Sequence, residues 1–122
     1  MSDRDAGYLN CYSELRRSVI LPALEKVRDE LEQDGWYCFI ADLNPFDKIE
    51  GINRRVPDRY GFTSLSIMDI ENGIVQYVYV FLENHRVRLT SDVLEENKGV
   101  LLDLTAVSLQ SVEETVKMIV NS

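Results

Sequence analysis

An Asn-Gly pair near the middle of the chain, Asn72-Gly73, constrains the fold more than any other feature of this sequence. It lies between two runs of strand-forming residues, 64–70 and 75–82. An Asn-Gly pair tolerates the positive φ angles that both central residues of a type I′ turn adopt, and this turn joins antiparallel strands. The sequence therefore predicts a β-hairpin in which Asn72 and Gly73 are the two loop residues.

The turn also predicts which residues face each other across the sheet. With Asn72-Gly73 as the loop, Leu65 lies opposite Val80, and a second two-residue turn at 84–85 sets Val80 opposite Leu89. Side chains alternate along a strand, and both turns assign the same side chains to the same face. The face predicted to meet the helices carries Leu65, Ile67, Val78, Val80, Val87 and Leu89. The opposite face, which we call the outer face, carries Ser66, Met68, Tyr77, Tyr79, Phe81, Arg86, Arg88 and Thr90.

The region from about Tyr8 to Asp34 has apolar residues at helical spacing, and Gly35 is well placed to end a helix in the left-handed conformation. Pro22 interrupts this pattern because it has no amide hydrogen and its ring crowds the preceding turn. Either one helix kinks at Pro22, or a second helix begins there. We favour one kinked helix, since the apolar stripe continues past the proline.

The remaining elements complete an α+β chain. Trp36–Leu43 reads as a strand with apolar residues on both faces, which predicts that it is covered on both sides. Val100–Leu104 reads as a fifth strand, and Ser111–Glu114 matches a capping box that begins a short closing helix. We predict a single domain over residues 1–122: a two-layer sandwich of a mainly antiparallel five-stranded sheet with a long N-terminal and a short C-terminal helix on one face.

Composition excludes several classes of function. The net charge of −8 repels a phosphate backbone, so nucleic acid is not an expected ligand. No apolar run reaches the roughly 20 residues that span a bilayer, and the first residues are polar, so we expect no membrane and a cytoplasmic location. Cys11 and Cys38 match no zinc spacing and are expected to be reduced and buried. No cofactor or metal is predicted.

Catalytic chemistry has little support in the sequence. The chain lacks a Gly-rich phosphate loop, a nucleophile elbow and a paired-histidine metal motif. A Cys–His pair would need a cysteine to meet His85, which lies at a predicted hairpin tip. Asp42 and Asp69 could act as acid and base if they were held close together. The simpler alternative is that both are solvated near strand ends, and we predict no catalytic residue.

The outer face is the first candidate site. Tyr, Met, Phe and Arg are enriched in protein interfaces, and an uncovered aromatic sheet face usually marks a binding site. We predict a non-enzymatic adaptor, regulatory or inhibitor-type module that binds a protein partner or a second copy of itself. The alternative is that these side chains form ordinary cross-strand pairs and nothing more. The predicted partner-binding residues are Met68, Tyr77, Tyr79, Phe81, Arg86 and Arg88.

The irregular stretch 44–61 is the second candidate site. Its arginines Arg54, Arg55 and Arg59 could clamp a carboxylate or phosphate in a small ligand-binding or catalytic domain. Such arginines more often pair with neighbours such as Asp58 or stay in water. A connection of this length is uncommon in a compact domain and is usually functional or mobile.

Overall fold

The computed structural model describes residues 3–44, 61–92 and 99–121. The helical elements are α1 (Asp3–Leu15), a π-helical segment (Arg16–Ile20), α2 (Leu21–Gln33), a 3-10 turn (Leu104–Ala106) and α3 (Leu109–Val120). The strands are β1 (Tyr37–Asp42), β2 (Thr63–Asp69), β3 (Gly73–Glu83), β4 (Arg86–Ser91) and β5 (Val100–Asp103). They form one five-stranded antiparallel sheet in the order β1-β2-β3-β4-β5. The predicted α+β fold is confirmed.

The N-terminal helical region continues through Pro22 without a break. Leu15 and Leu21, on either side of the π-helical segment, both have right-handed helical φ and ψ angles. The amide of Leu21 donates to the carbonyl of Arg16, five residues earlier. Pro22 cannot donate to a carbonyl and its ring crowds the turn before it, and the wider π turn accommodates both effects. The preference for one helix over two is therefore confirmed.

Gly35 ends this helix as predicted. Its φ is +95°, in the left-handed region that glycine adopts without strain. The amide of Gly35 donates to the carbonyl of Glu32 at 3.0 Å, and the amide of Trp36 donates to that of Leu31 at 3.1 Å. These two bonds form a Schellman motif, which satisfies carbonyls that the last helical turn leaves open.

The first hairpin differs from the prediction. Leu65 pairs with Val78 and not with Val80, and the loop consists of residues 70–72. Gly73 opens β3 with φ +79°. The carboxylate of Asp69 accepts hydrogen bonds from the Glu71 amide and from Asn72 Nδ2, both at 2.9 Å, and these bonds favour the longer loop. The prediction of a type I′ turn at Asn72-Gly73 was therefore wrong. The predicted assignment of side chains to the two faces was correct, because the pairing register moved by two residues and this preserves the alternation.

The second hairpin is the predicted one. Val80 pairs with Leu89 and Leu82 with Val87. Asn84 and His85 have φ angles of 48° and 69°, and they are the described non-glycine residues with positive φ. This is the signature of a type I′ turn.

Three other sequence-based expectations were wrong. β1 is not covered on both sides, because Tyr37 and Phe39 are exposed. Cys11 is exposed and Cys38 is half-buried, although both cysteines are free. The capping box of α3 is built three residues earlier than predicted, since Ser108 is the N-cap and exchanges hydrogen bonds with Ser111.

The main core lies between the helices and the inner face of the sheet. It contains the predicted aliphatic residues of β2, β3 and β4 together with buried residues of all the helical elements except the 3-10 turn. Gln76 also lies on this face, where its Nε2 donates to Ser91 Oγ at 3.0 Å. No helix within the described ranges is both long enough and apolar enough to cross a membrane. The helices therefore cover one face, and the other face carries the candidate surface.

Candidate interaction surface

The outer face carries a second apolar cluster that is buried. Phe62, Tyr79 and Phe81 are 4%, 6% and 3% exposed, and Tyr77 packs against them half-buried. The ring of Phe62 meets that of Tyr79 edge-on at 5.6 Å, and the ring of Tyr77 stacks on Tyr79 at 6.0 Å. Tyr79 and Phe81, which the sequence placed on a binding surface, therefore offer little exposed area to a partner.

Among the described residues, the exposed aromatic side chains of this face lie on β1. Tyr37 is 56% exposed and Phe39 is 48% exposed. In the sheet register Tyr37 lies opposite Met68, while Phe39 lies opposite Ser66, which in turn lies opposite Tyr77. We call Tyr37, Phe39, Met68 and Tyr77 the aromatic patch; it occupies one corner of the outer face, at the edge of the sheet.

Sequence reasoning missed Tyr37 and Phe39. The available signal was the alternation in β1, where Cys38 and Ile40 pack against the main core, so Tyr37 and Phe39, which alternate with them, point to the other face. Continuous apolarity hid this alternation, because both sets of side chains are apolar. Of the predicted partner-binding residues, Met68 and Tyr77 belong to the aromatic patch.

The two arginines predicted to bind a partner, Arg86 and Arg88, lie on β4, towards the opposite side of the sheet, and both are ion-paired. Arg86 Nε is 3.0 Å from a carboxylate oxygen of Asp103 on β5. Arg88 Nε is 2.5 Å from a carboxylate oxygen of Glu83, and both of these side chains are mostly buried. Arg88 therefore joins β4 to β3 through a mostly buried ion pair and offers little surface to a partner. The side chain of Arg86 remains exposed.

A polar network of buried and partly exposed side chains lies at the far end of β1 from Tyr37. The carboxylate of Asp42 pairs with Arg16 and accepts a hydrogen bond from Thr63 Oγ1 at 2.8 Å. The Tyr12 hydroxyl donates to the carbonyl of Val80 at 3.3 Å. Burial raises the pKa of the Tyr12 phenol, and the nearby Asp42 carboxylate adds to this increase. Through the Arg16–Asp42 pair and the Tyr12 hydrogen bond, the network connects the N-terminal helical region to the sheet.

The candidate catalytic groups do not come together. Asp42 lies opposite Thr63 at the start of β2, and Asp69 lies at its other end, about 20 Å away at the usual rise per residue. The ring of His85 stacks on Tyr8, with the ring centroids 3.9 Å apart. In the described part of the chain, no group of three or more His, Cys, Asp or Glu residues could hold a metal ion.

Two clefts lined by described residues are small. One, of about 180 Å³, lies between α2 and α3. The other, of about 290 Å³, is next to His85 at the tip of the second hairpin. Small-molecule sites usually occupy roughly 300–1,000 Å³. Arg54, Arg55 and Arg59 lie outside the described residues, so the predicted anion site stays a prediction.

Comparisons of the chain with models of protein families, with curated proteins and with solved structures found no match.

Proposed function

We propose that this protein is a non-enzymatic interaction module that binds another protein through the outer face of its sheet, at the aromatic patch. The observation that carries the proposal is the exposure of Tyr37 and Phe39 beside Met68 and Tyr77. Large apolar side chains grouped in one exposed area usually mark a binding surface, whereas single exposed apolar residues are ordinary. Aromatic residues are also the side chains that most often contribute strongly to binding.

The surroundings of the patch support an interface rather than a catalytic site. The half-buried members are held in place by sheet pairing and by the Tyr77–Tyr79 stack, so a partner would meet a preorganised surface. The two small clefts described above contain no member of the patch. Free Cys11 and Cys38 are compatible with the reducing cytoplasm, where we propose that the protein acts.

The test compares two variants that add a lysine at apolar positions of similar exposure, 48% for Phe39 and 55% for Met118. Phe39→Lys disrupts the patch, and Met118→Lys, at a site 55% exposed on α3, serves as the control. Partners captured from native lysate by the wild-type protein should also be captured by Met118→Lys and lost with Phe39→Lys. An aromatic anchor commonly contributes about 2 kcal/mol or more to binding. The proposal would be contradicted if the wild type and both variants captured the same partners and Phe39→Lys left the solution mass of the protein unchanged.

A further inference from the structure

β1 is an edge strand of the sheet. Within the described ranges it pairs with β2 alone. The amide of Leu43 donates to the carbonyl of Phe62 at 2.9 Å, which fixes the phase of the ladder between the two strands. Bonded residues alternate along an antiparallel strand, so Cys38, Ile40 and Asp42 direct their amide and carbonyl groups away from β2. A further strand would bond to these groups.

Among the described residues, this edge has few of the features that normally prevent strand addition. Proteins protect an edge strand with charged residues (above all lysine), with proline, with a bulge, by short length, or by covering it with a helix or loop. The sequence of β1, Tyr-Cys-Phe-Ile-Ala-Asp, has no lysine or proline, and its pairing with β2 shows no register shift. Its one charged residue, Asp42, is the last residue of the strand and is paired with Arg16. The other edge strand, β5, is only four residues long and carries Asp103, which pairs with Arg86. Among the described strands, β1 is therefore the longer edge and the one better suited to pair with another strand.

The charges around β1 indicate the chemistry of that strand. Residues 34–44 and 61–73 contain no lysine or arginine. Three acidic residues, Asp34, Asp69 and Glu71, lie near the Tyr37 end of β1, since Tyr37 pairs with Met68. At the other end Asp42 is already paired with Arg16. A strand that carries basic residues next to Tyr37 would complement this uneven distribution.

A second copy of the chain fits this edge less well. Antiparallel pairing of two β1 strands about a twofold axis would place the Asp42 end of each copy beside the acidic Tyr37 end of the other. Each copy also carries a net charge of −8, so association would bring like charges together. The distribution of charge therefore favours a different partner.

We propose that β1 binds an extended segment of a partner protein by strand addition. Apolar side chains of this segment lie beside Tyr37 and Phe39 on the outer face, and its basic residues lie at the Tyr37 end. Main-chain hydrogen bonds supply affinity and the alternate side chains supply specificity, as in other cases of strand addition. This inference rests on the proposed function, because it states how the aromatic patch recognises its partner.

The test uses random twelve-residue peptides displayed on phage, selected on the wild-type protein and counter-selected on Phe39→Lys. The enriched peptides should alternate apolar and other side chains and carry lysine or arginine at one end. Each synthetic peptide is then N-methylated on every second amide, in both possible phases. One phase should weaken binding at least tenfold and the other should leave it nearly unchanged, because only alternate amides of an added strand face β1.

Controls on the protein separate this proposal from the proposed function. Met118→Lys should bind the peptides as the wild type does, and higher salt should weaken their binding, because the charge complementarity is exposed. Equal binding of both N-methylated phases, or enrichment of acidic peptides, would overturn strand addition.

Failure to enrich any peptide would also overturn strand addition. The proposed function would survive that result if capture from lysate still depended on Phe39. A doubled solution mass that is lost with Phe39→Lys would identify a second copy as the occupant and would likewise overturn the peptide proposal. Loss of both peptide binding and Phe39-dependent capture would overturn both proposals.

Discussion

Left-handed backbone conformations are placed differently in the two hairpins. In the second, Asn84 and His85 both have positive φ. In the first, Gly73 has φ +79°, and Asn72 is not among the residues with positive φ. A residue with a side chain in this region costs roughly 1–2 kcal/mol. In the first hairpin, glycine at position 73 avoids that cost.

Gly73→Val should therefore destabilise the protein by about 2 kcal/mol, because a β-branched residue resists positive φ. A Cβ at this position meets no atom within 4 Å, so the loss would come from the backbone alone. Asn72→Val should cost at most about 1 kcal/mol, the usual value of one hydrogen bond such as that to Asp69. Chemical denaturation of both variants measures the difference. Equal and large losses would instead indicate a type I′ turn at 72–73.

At the scale of elements, ion pairs join α2 to α3 above the core. Lys117 Nζ is 2.8 Å from Glu30 and 2.9 Å from Glu113. Lys26 Nζ is 3.2 Å from the other carboxylate oxygen of Glu113. The hydrogen bonds from Lys117 and then from Lys26 lower the pKa of Glu113, and those to Glu30 and Glu113 raise the pKa of Lys117. Both shifts favour the charged forms that the pairs require.

Lys117→Met should reduce stability near neutral pH, and the difference from the wild type should shrink in acid. A depressed folded-state pKa stabilises the fold above the ordinary glutamate value of about 4.3, and this stabilisation is lost as the pH falls through the folded value. The raised pKa of Lys117 stabilises the fold below about 10.4, and that contribution is lost only as the pH rises through the folded value. Denaturant midpoints at pH 7, 4 and 3 measure the effect.

Arg17→Met is the matched control, since its pair with Glu14 is exposed and lies within one stretch of helix. It should change stability little at any of these pH values, because exposed pairs contribute little. If Lys117→Met lowered the denaturant midpoint by the same amount at pH 7, 4 and 3, the pairs with Glu30 and Glu113 would not be what stabilises the packing of α2 on α3.

At the scale of the whole molecule, the sheet has apolar clusters on both faces. The larger one lies under the helices, and the smaller one contains Phe62, Tyr79 and Phe81 on the outer face. The aromatic patch adjoins the smaller cluster through Tyr77, which stacks on Tyr79. The outer face therefore combines a stabilising part and an exposed part, and the two parts should respond differently to mutation.

Tyr79→Ala should lower the free energy of unfolding by roughly 3–5 kcal/mol, as removal of a large buried side chain usually does. Tyr37→Ala should cost less than about 1 kcal/mol, because more than half of this side chain is already exposed. Denaturant unfolding of the two variants gives both values. A small loss for Tyr79→Ala would show that the smaller cluster does not contribute to global stability.

The sequence by itself determined the features that depend on local backbone chemistry and on alternation. Gly35 ends a helix because glycine adopts positive φ without strain, and Asn84-His85 forms the predicted two-residue turn. Alternation assigned Leu65, Ile67, Val78 and Val80 to the inner face, where they lie. This assignment stayed correct although the observed register differs from the predicted one by two residues, because the side-chain period of a strand is two. The α+β class followed from these elements.

Only the tertiary structure decided the first turn and the site. The side chain of Asp69 favours a loop of three residues, and the pairing of β2 with β3 shifts register between Ile67 and Met68. Tyr79 is buried while Tyr37, on the same face, is exposed. Both are tyrosines in apolar strands, so residue type and period could not separate them. Exposure depends on what packs over a position and on which strand forms the edge, and these are properties of the assembled chain.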